Sequence, residues 1–335
     1  MRYLCLLAAY SSLALWAQYP PETHWRKIVT PHFEVIFPQE IDPDAQRAAN
    51  ALETLYAPLT RTLGATLPRH TTVLLPNQAV TRYSGGSVSL FPRVATFNMM
   101  PAQGFWGAND WINTLTANET RHLVQIAKIN HGFGKVAYAL FGEAGLASAM
   151  AVTLPDWWVA GDARVAETTT LRGGIGQFAS SEEVERALLL SGQHYSYMKA
   201  MHGSFRDLVP NQDELGAFLV SHVYRTAGPD AWNRILEDTA SLSWNPLALT
   251  LALKKETGRT ASTNYHDTMS ELGELWKSKT DPVENQPAAY LQQHRQELGD
   301  RLLPAGLRSG RHRTGAKTGH GHFSGGSRAP AGGRQ

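Results

Sequence analysis

Hydrophobic positions repeat with a short period near the start of this chain and with a helical period over most of the rest. Residues 32–37, HFEVIF, alternate between Pro31 and Pro38, which predicts a strand. Residues 71–75 predict a second, β-branched strand ended by Pro76, and 87–97 hold two further strand-like pieces around Pro92. Between the first two strands, residues 42–63 place Ala45, Ala48, Ala49, Leu52, Leu55 and Leu59 on one helical face. Asp42 stands at its cap and Pro43 in its first turn. From Trp111 the helical spacing takes over. Residues 111–125 set Ile112, Leu115, Glu119, His122 and then Ile126 on or beside one face. Residues 133–153 are apolar and rich in Gly and Ala, which predicts a tightly packed helix or helical loop. A helix over 157–171 starts at Pro155-Asp156 and is stopped by Gly173-Gly174-Ile175-Gly176. That cluster reads as a C-cap and turn rather than a phosphate loop, since it follows a helix and lacks the lysine. Further helices are predicted over 181–190, 212–226, 229–238, 246–255, 262–279 and 286–303. The fold class is α+β, with a small N-terminal sheet and a mostly helical C-terminal half.

Composition changes this picture at the two ends. Residues 1–17 read as a signal peptide: Arg2 is a minimal positive region, and the apolar run over 3–17 is short for a membrane span. Cleavage after Ala17 fits, and a buried N-terminal helix is the alternative. Cys5, the single cysteine, lies inside that segment, so the mature chain offers no disulfide and no thiolate ligand. No transmembrane segment is expected, and export to the periplasm or beyond follows. The formal charge of +2 hides an asymmetry. From Arg301 onward there are seven basic and no acidic residues; setting these and Arg2 aside leaves 23 basic against 29 acidic. An acidic body gives no support to a nucleic-acid partner.

The chemistry concentrates in two stretches. Asn118-Glu119-Thr120-Arg121-His122 is the H-E-x-x-H zinc-protease pattern with asparagine in place of its first histidine. In the intact pattern two imidazoles one turn apart hold a zinc, and the glutamate polarises its water. The second stretch, Trp157-Trp158-Val159-Ala160-Gly161-Asp162-Ala163, resembles the W-x-x-E-G-x-A segment of gluzincin-type peptidases, with Ala160 where that segment carries its metal-binding glutamate. A catalytic zinc needs three protein ligands and an open position. Two of the three are missing.

Residues 193–209 (QHYSYMKAMHGSFRDLV) with Pro210-Asn211, and the W-x-x-x-G-D-A-x-x-x-E-T segment, narrow the resemblance. The chain is similar over about 30–279 to exported bacterial proteins in which a zincin-like domain precedes a TolB-type β-propeller. That resemblance implies a zincin-like architecture over 25–303, with sheet and motif helix over 25–130 and a helical part over 131–303. It also implies Glu119 as a vestigial general base, His122 as the one remaining ligand, and Asn118 and Ala160 at the lost ligand positions. Asp162 and Glu167 belong to the second helix without being ligands. Tyr195, Tyr197 and His202 correspond to helpers near the reacting carbonyl.

Plainer roles stand beside each of these. His122 is read as a hydrogen-bonded histidine at the core edge, and Glu119 as a buried carboxylate held by Arg121, Arg164 or a backbone group. Trp157 and Trp158 are read as core. Tyr195, Tyr197 and His202 are read as surface-turn residues. The tail, 304–335, is basic and has nothing to pack. It is a disordered arm, a metal tract through His312, His320 and His322, or a frameshifted translation of GC-rich DNA, and the last is favoured. Two functions are expected to compete. One is a non-enzymatic pseudo-metallopeptidase, without cofactor, that binds a protein or peptide or partners a β-propeller module. The other is an active zinc peptidase with an atypical site built from His122, Glu119 and a carboxylate such as Glu167.

Overall fold

A computed structural model describes residues 19–77, 85–90, 92–99 and 110–279. The expected signal peptide, the helix over 286–303 and the basic tail lie outside the described residues. Five strands form one sheet in the order β1-β2-β3-β5-β4: β1 (Trp25–Val29), β2 (Phe33–Pro38), β3 (Thr71–Leu74), β4 (Gly85–Leu90) and β5 (Arg93–Asn98). The inner pairings, β2 with β3 and β3 with β5, are parallel, and the outer two are antiparallel. A parallel pair needs a long crossover, and helix α1 (Asp42–Arg61) supplies it between β2 and β3. Phe33, Val35 and Phe37 of β2 point into the same core as Ala45, Ala48 and Leu52 of α1, matching both predicted periods. Asp42 is the first helical residue rather than the cap, and it bonds Arg26 of β1 at 3.0 Å. Strand β1 was not foreseen, because four of its five residues are exposed and no alternation shows.

The rest is helical: α2 (Trp111–Ile129), α3 (Gly132–Thr153), α4 (Asp156–Thr170), α5 (Glu183–Leu190), α6 (Tyr197–His202), α7 (Gln212–Ala227), α8 (Ala231–Ser241), α9 (Ala248–Thr257) and α10 (Ala261–Lys279). This α+β arrangement is the one expected. Helix α2 starts at Asp110, whose carboxylate accepts the Ile112 amide at 3.2 Å. It is the hub, packing on α1, α3, α4 and α8 and on β4 and β5. Trp157 and Trp158 are both buried, as expected of core residues, and the Trp158 ring lies 5.5 Å from that of Trp232.

Helices α4 and α7 cross at two glycines. A Cβ on Gly216 would sit 1.9 Å from the Trp157 carbonyl oxygen, and one on Gly161 would sit 2.2 Å from the Gly216 carbonyl carbon. The backbones touch where the chain has no side chains. Helix α3 is the apolar, Gly- and Ala-rich stretch expected as a helix. It breaks at Gly142 (φ 61°, ψ −145°), a backbone conformation that favours glycine. It is also the one helix among the described residues long and apolar enough to cross a membrane. Gly145, Leu146 and Ala149 are nonetheless buried, whereas Leu140 and Phe141 are about 70% exposed.

Candidate functional site

Helices α2 and α4 pack side by side, and the Gln125 side-chain amide of α2 donates to the Val159 carbonyl of α4 at 2.9 Å. The two stretches singled out in the sequence are therefore neighbours. Their junction is held by Arg121 and Asp162, both fully buried. Arg121 Nε donates to Asp162 Oδ2 and Nη2 to Oδ1, each at 2.7 Å. Nη1 donates to the Leu59 carbonyl and to Thr62 Oγ1 of the α1 end, and Gln125 gives Asp162 a third donor at 2.8 Å. Of the partners expected for Glu119, namely Arg121, Arg164 or a backbone group, Arg121 is thereby committed elsewhere. Residues two apart on a helix point to nearly opposite sides, so Arg121 turns to α1 and α4 while Glu119 turns to the sheet. Arg164 faces Glu167 and Glu214 instead.

Glu119 lies over Gly86 of β4: a Cβ on Gly86 would come within 2.5 Å of Glu119 Cγ. The carboxyl is 6% exposed and makes no hydrogen bond or ion pair among the described residues. Burial alone pushes its pKa up to about 7. Gly86 was not read as a site residue, although two glycines inside a strand mark a close approach.

His122 is half-buried, and its Nδ1 stands 2.9 Å from Gln125 Oε1. The Gln125 amide nitrogen is committed to Val159 and Asp162, so its oxygen faces the imidazole, Nδ1 carries the proton and Nε2 keeps the lone pair. Burial lowers the His122 pKa and favours the neutral ring.

The lost ligand positions are filled differently. Burial raises the Glu167 pKa, opposed by the Ile175 amide, Arg164 and the Asn118 side chain. Glu167 Oε1 accepts the Ile175 amide at 2.7 Å, and Oε2 has no partner among the described residues. Ala160 contributes a methyl group. No group of three His, Cys, Asp or Glu side chains is placed to share a metal among the described residues. The donor set does not fit a catalytic zinc.

The glycine cluster after α4 forms the expected turn at residues 172–173, although Leu171 rather than a glycine caps the helix. The helix ends at Thr170 with an extended Leu171, and Gly174 and Gly176 fold back onto Thr168. Their close approach carries the Ile175 amide to Glu167. Tyr197 accepts a hydrogen bond from Trp157 Nε1 at 3.0 Å and so braces α4. The Tyr195 carbonyl accepts the Tyr265 hydroxyl at 3.2 Å, and Lys199 Nζ sits 4.5 Å from the Tyr195 ring centroid. His202 is exposed at the end of α6. That short helix replaces the surface turn expected there.

No family model matches this chain, and no curated protein matches it.

Proposed function

We propose that this chain is an exported, degenerate zinc-metallopeptidase-like protein that binds a protein or peptide partner, a β-propeller module among the candidates, and does not hydrolyse. The observation that carries the reading is the Arg121–Asp162 pair at the α2–α4 junction, flanked by Asn118 and Ala160. The two helices that carry positions 118 and 160 are in contact, and this intramolecular ion pair joins them. One imidazole, that of His122, remains of the expected set, and a single neutral ligand holds zinc weakly.

An active peptidase with an atypical metal site is the competing reading. One observation favours it: the Glu119 carboxyl, brought to about 7, lies in the range that suits a general base. Metal analysis of the full chain purified from its export compartment separates the two. The binding reading expects far less than one zinc per chain and a melting temperature unmoved by chelator. Stoichiometric zinc whose removal lowers the melting temperature would overturn it and return Glu119 to the role of base.

A further inference from the structure

A second site lies away from the α2–α4 junction. A cavity of about 210 Å³ opens between α5, residues 193–195 and α10. Leu188, Leu189 and Met269 form apolar walls, Tyr195 and Tyr265 add aromatic rings, and Glu185 lines it. Glu185 is 3% exposed and makes no hydrogen bond or ion pair among the described residues, with Oε2 wholly buried. A carboxylate in that position is costly unless a cation meets it. Its neighbours do not help. The Tyr265 hydroxyl is committed to the Tyr195 carbonyl, and Glu214 on α7 bears the same charge. His194 and His266 also line the cavity, are exposed, and make no hydrogen bond or ion pair with Glu185.

We propose that this cavity binds a primary alkyl ammonium group, with Glu185 as its counter-charge. The apolar walls match a short methylene stem, and ring faces of tyrosine attract a cation. Lys199 shows this on the Tyr195 ring. An anionic ligand would meet Glu185, with the like charge of Glu214 nearby adding to the repulsion, and a metal ion would find too few ligands. The source is a lysine side chain of a bound polypeptide or a free small amine; both present the same group.

The test is calorimetric titration of the full chain with n-butylamine, with n-butanol as the uncharged match. A blocked lysine amide and a blocked arginine amide form the peptide-like arms. Butylamine should bind saturably at one site and at least about tenfold more tightly than butanol. Tighter binding of the blocked lysine than of butylamine assigns the source to a polypeptide, and the reverse assigns it to a free amine. Burial and Glu214 push the Glu185 pKa up to about 7, so binding at pH 7 should also release on the order of half a proton, read by comparing two buffers. Glu185→Gln, which keeps shape and loses charge, should weaken butylamine about tenfold or more and leave butanol unchanged. Should that variant not fold, Leu188→Trp, which fills the cavity from its wall, should abolish binding. Equal affinity for amine and alcohol, a folded Glu185→Gln that binds like the parent, or no saturation by tens of millimolar would each overturn the proposal. Preference for the arginine amide would overturn the ammonium assignment. None of these readouts involves a metal or the α2–α4 junction, so they fail or succeed independently of the function proposed above.

Discussion

Arg121 and Asp162 meet through two parallel hydrogen bonds of 2.7 Å with neither side chain exposed, and they join helices α2 and α4. An ion pair this deep is a weak source of net stability, because desolvation offsets the attraction. Removing one partner strands the other. We expect Asp162→Ala or Arg121→Met alone to cost about 3–5 kcal/mol, and Arg121→Met with Asp162→Leu to recover most of that. Urea denaturation of the parent, both single variants and the pair closes the cycle. A cost below about 1 kcal/mol for either single change would show that the junction is held by other contacts.

Glu119 makes stability depend on pH. Its pKa rises from 4.5 to about 7 on folding, so the folded state prefers the protonated form. The group is neutral in its effect below the unfolded value. It becomes destabilising as pH rises from 4.5 towards 7, reaching roughly 3 kcal/mol above that. Glu119→Gln removes the ionisation, so this variant should gain on the parent by up to that amount between pH 5 and pH 8. The difference between the two proteins isolates this residue from Glu185, whose pKa also rises to about 7. Parallel stability curves would show that the carboxylate is solvated or paired when folded.

At the α4–α7 crossing the chain has no slack. Gly161→Ala places a methyl 2.2 Å from a carbonyl carbon, and Gly216→Ala places one 1.9 Å from a carbonyl oxygen. Backbone cannot rotate aside as a side chain can, so the helices must separate. Each change should cost at least about 3 kcal/mol, the upper end of overpacking effects. Thermal melts and soluble yield report it. A melting temperature within a few degrees of the parent would mean that this crossing relaxes freely.

How much of this was legible in the sequence depends on whether the signal was local. Strand β2 was readable because one face is buried, so Phe33, Val35 and Phe37 alternate with partly exposed residues. Strand β1 was not, since an exposed edge strand has no buried face to impose a period. Helix α2 could be read from the spacing of Ile112, Leu115 and Ile126, all of them buried. The partner of Arg121 could not. Periodicity says which side of a helix a residue occupies, and it does not say which helix 41 residues later lies there. Gly142 breaks α3 through a backbone angle open to glycine, and a glycine within an apolar helical run does not announce which conformation it takes. Glu185 gave no sequence signal, because an acid in the first turn of a helix is what the dipole favours in any case.

The junction also offers a constructive test. Helices α2 and α4 are in contact, His122 already presents an unprotonated Nε2, and Glu167 faces position 118. Asn118→His with Ala160→Glu should therefore complete three ligands. Glu167 would stand where it can accept the second imidazole proton and orient the new ring, as metal-bound histidines require. Arg121 and Asp162 hold each other and are left unchanged in this variant. We expect the double variant to bind zinc at one per chain and to melt higher as free zinc rises, by the linkage between binding and folding. Each single change leaves two protein ligands and should bind at least about a hundredfold more weakly. Calorimetry with zinc gives the stoichiometry, and a cobalt spectrum reports whether the site is tetrahedral. If the double variant binds no better than the parent, positions 118, 122 and 160 do not converge. If it binds zinc and also cleaves a peptide, Glu119 already stands as a base, and the two ligand positions alone separate this protein from an enzyme.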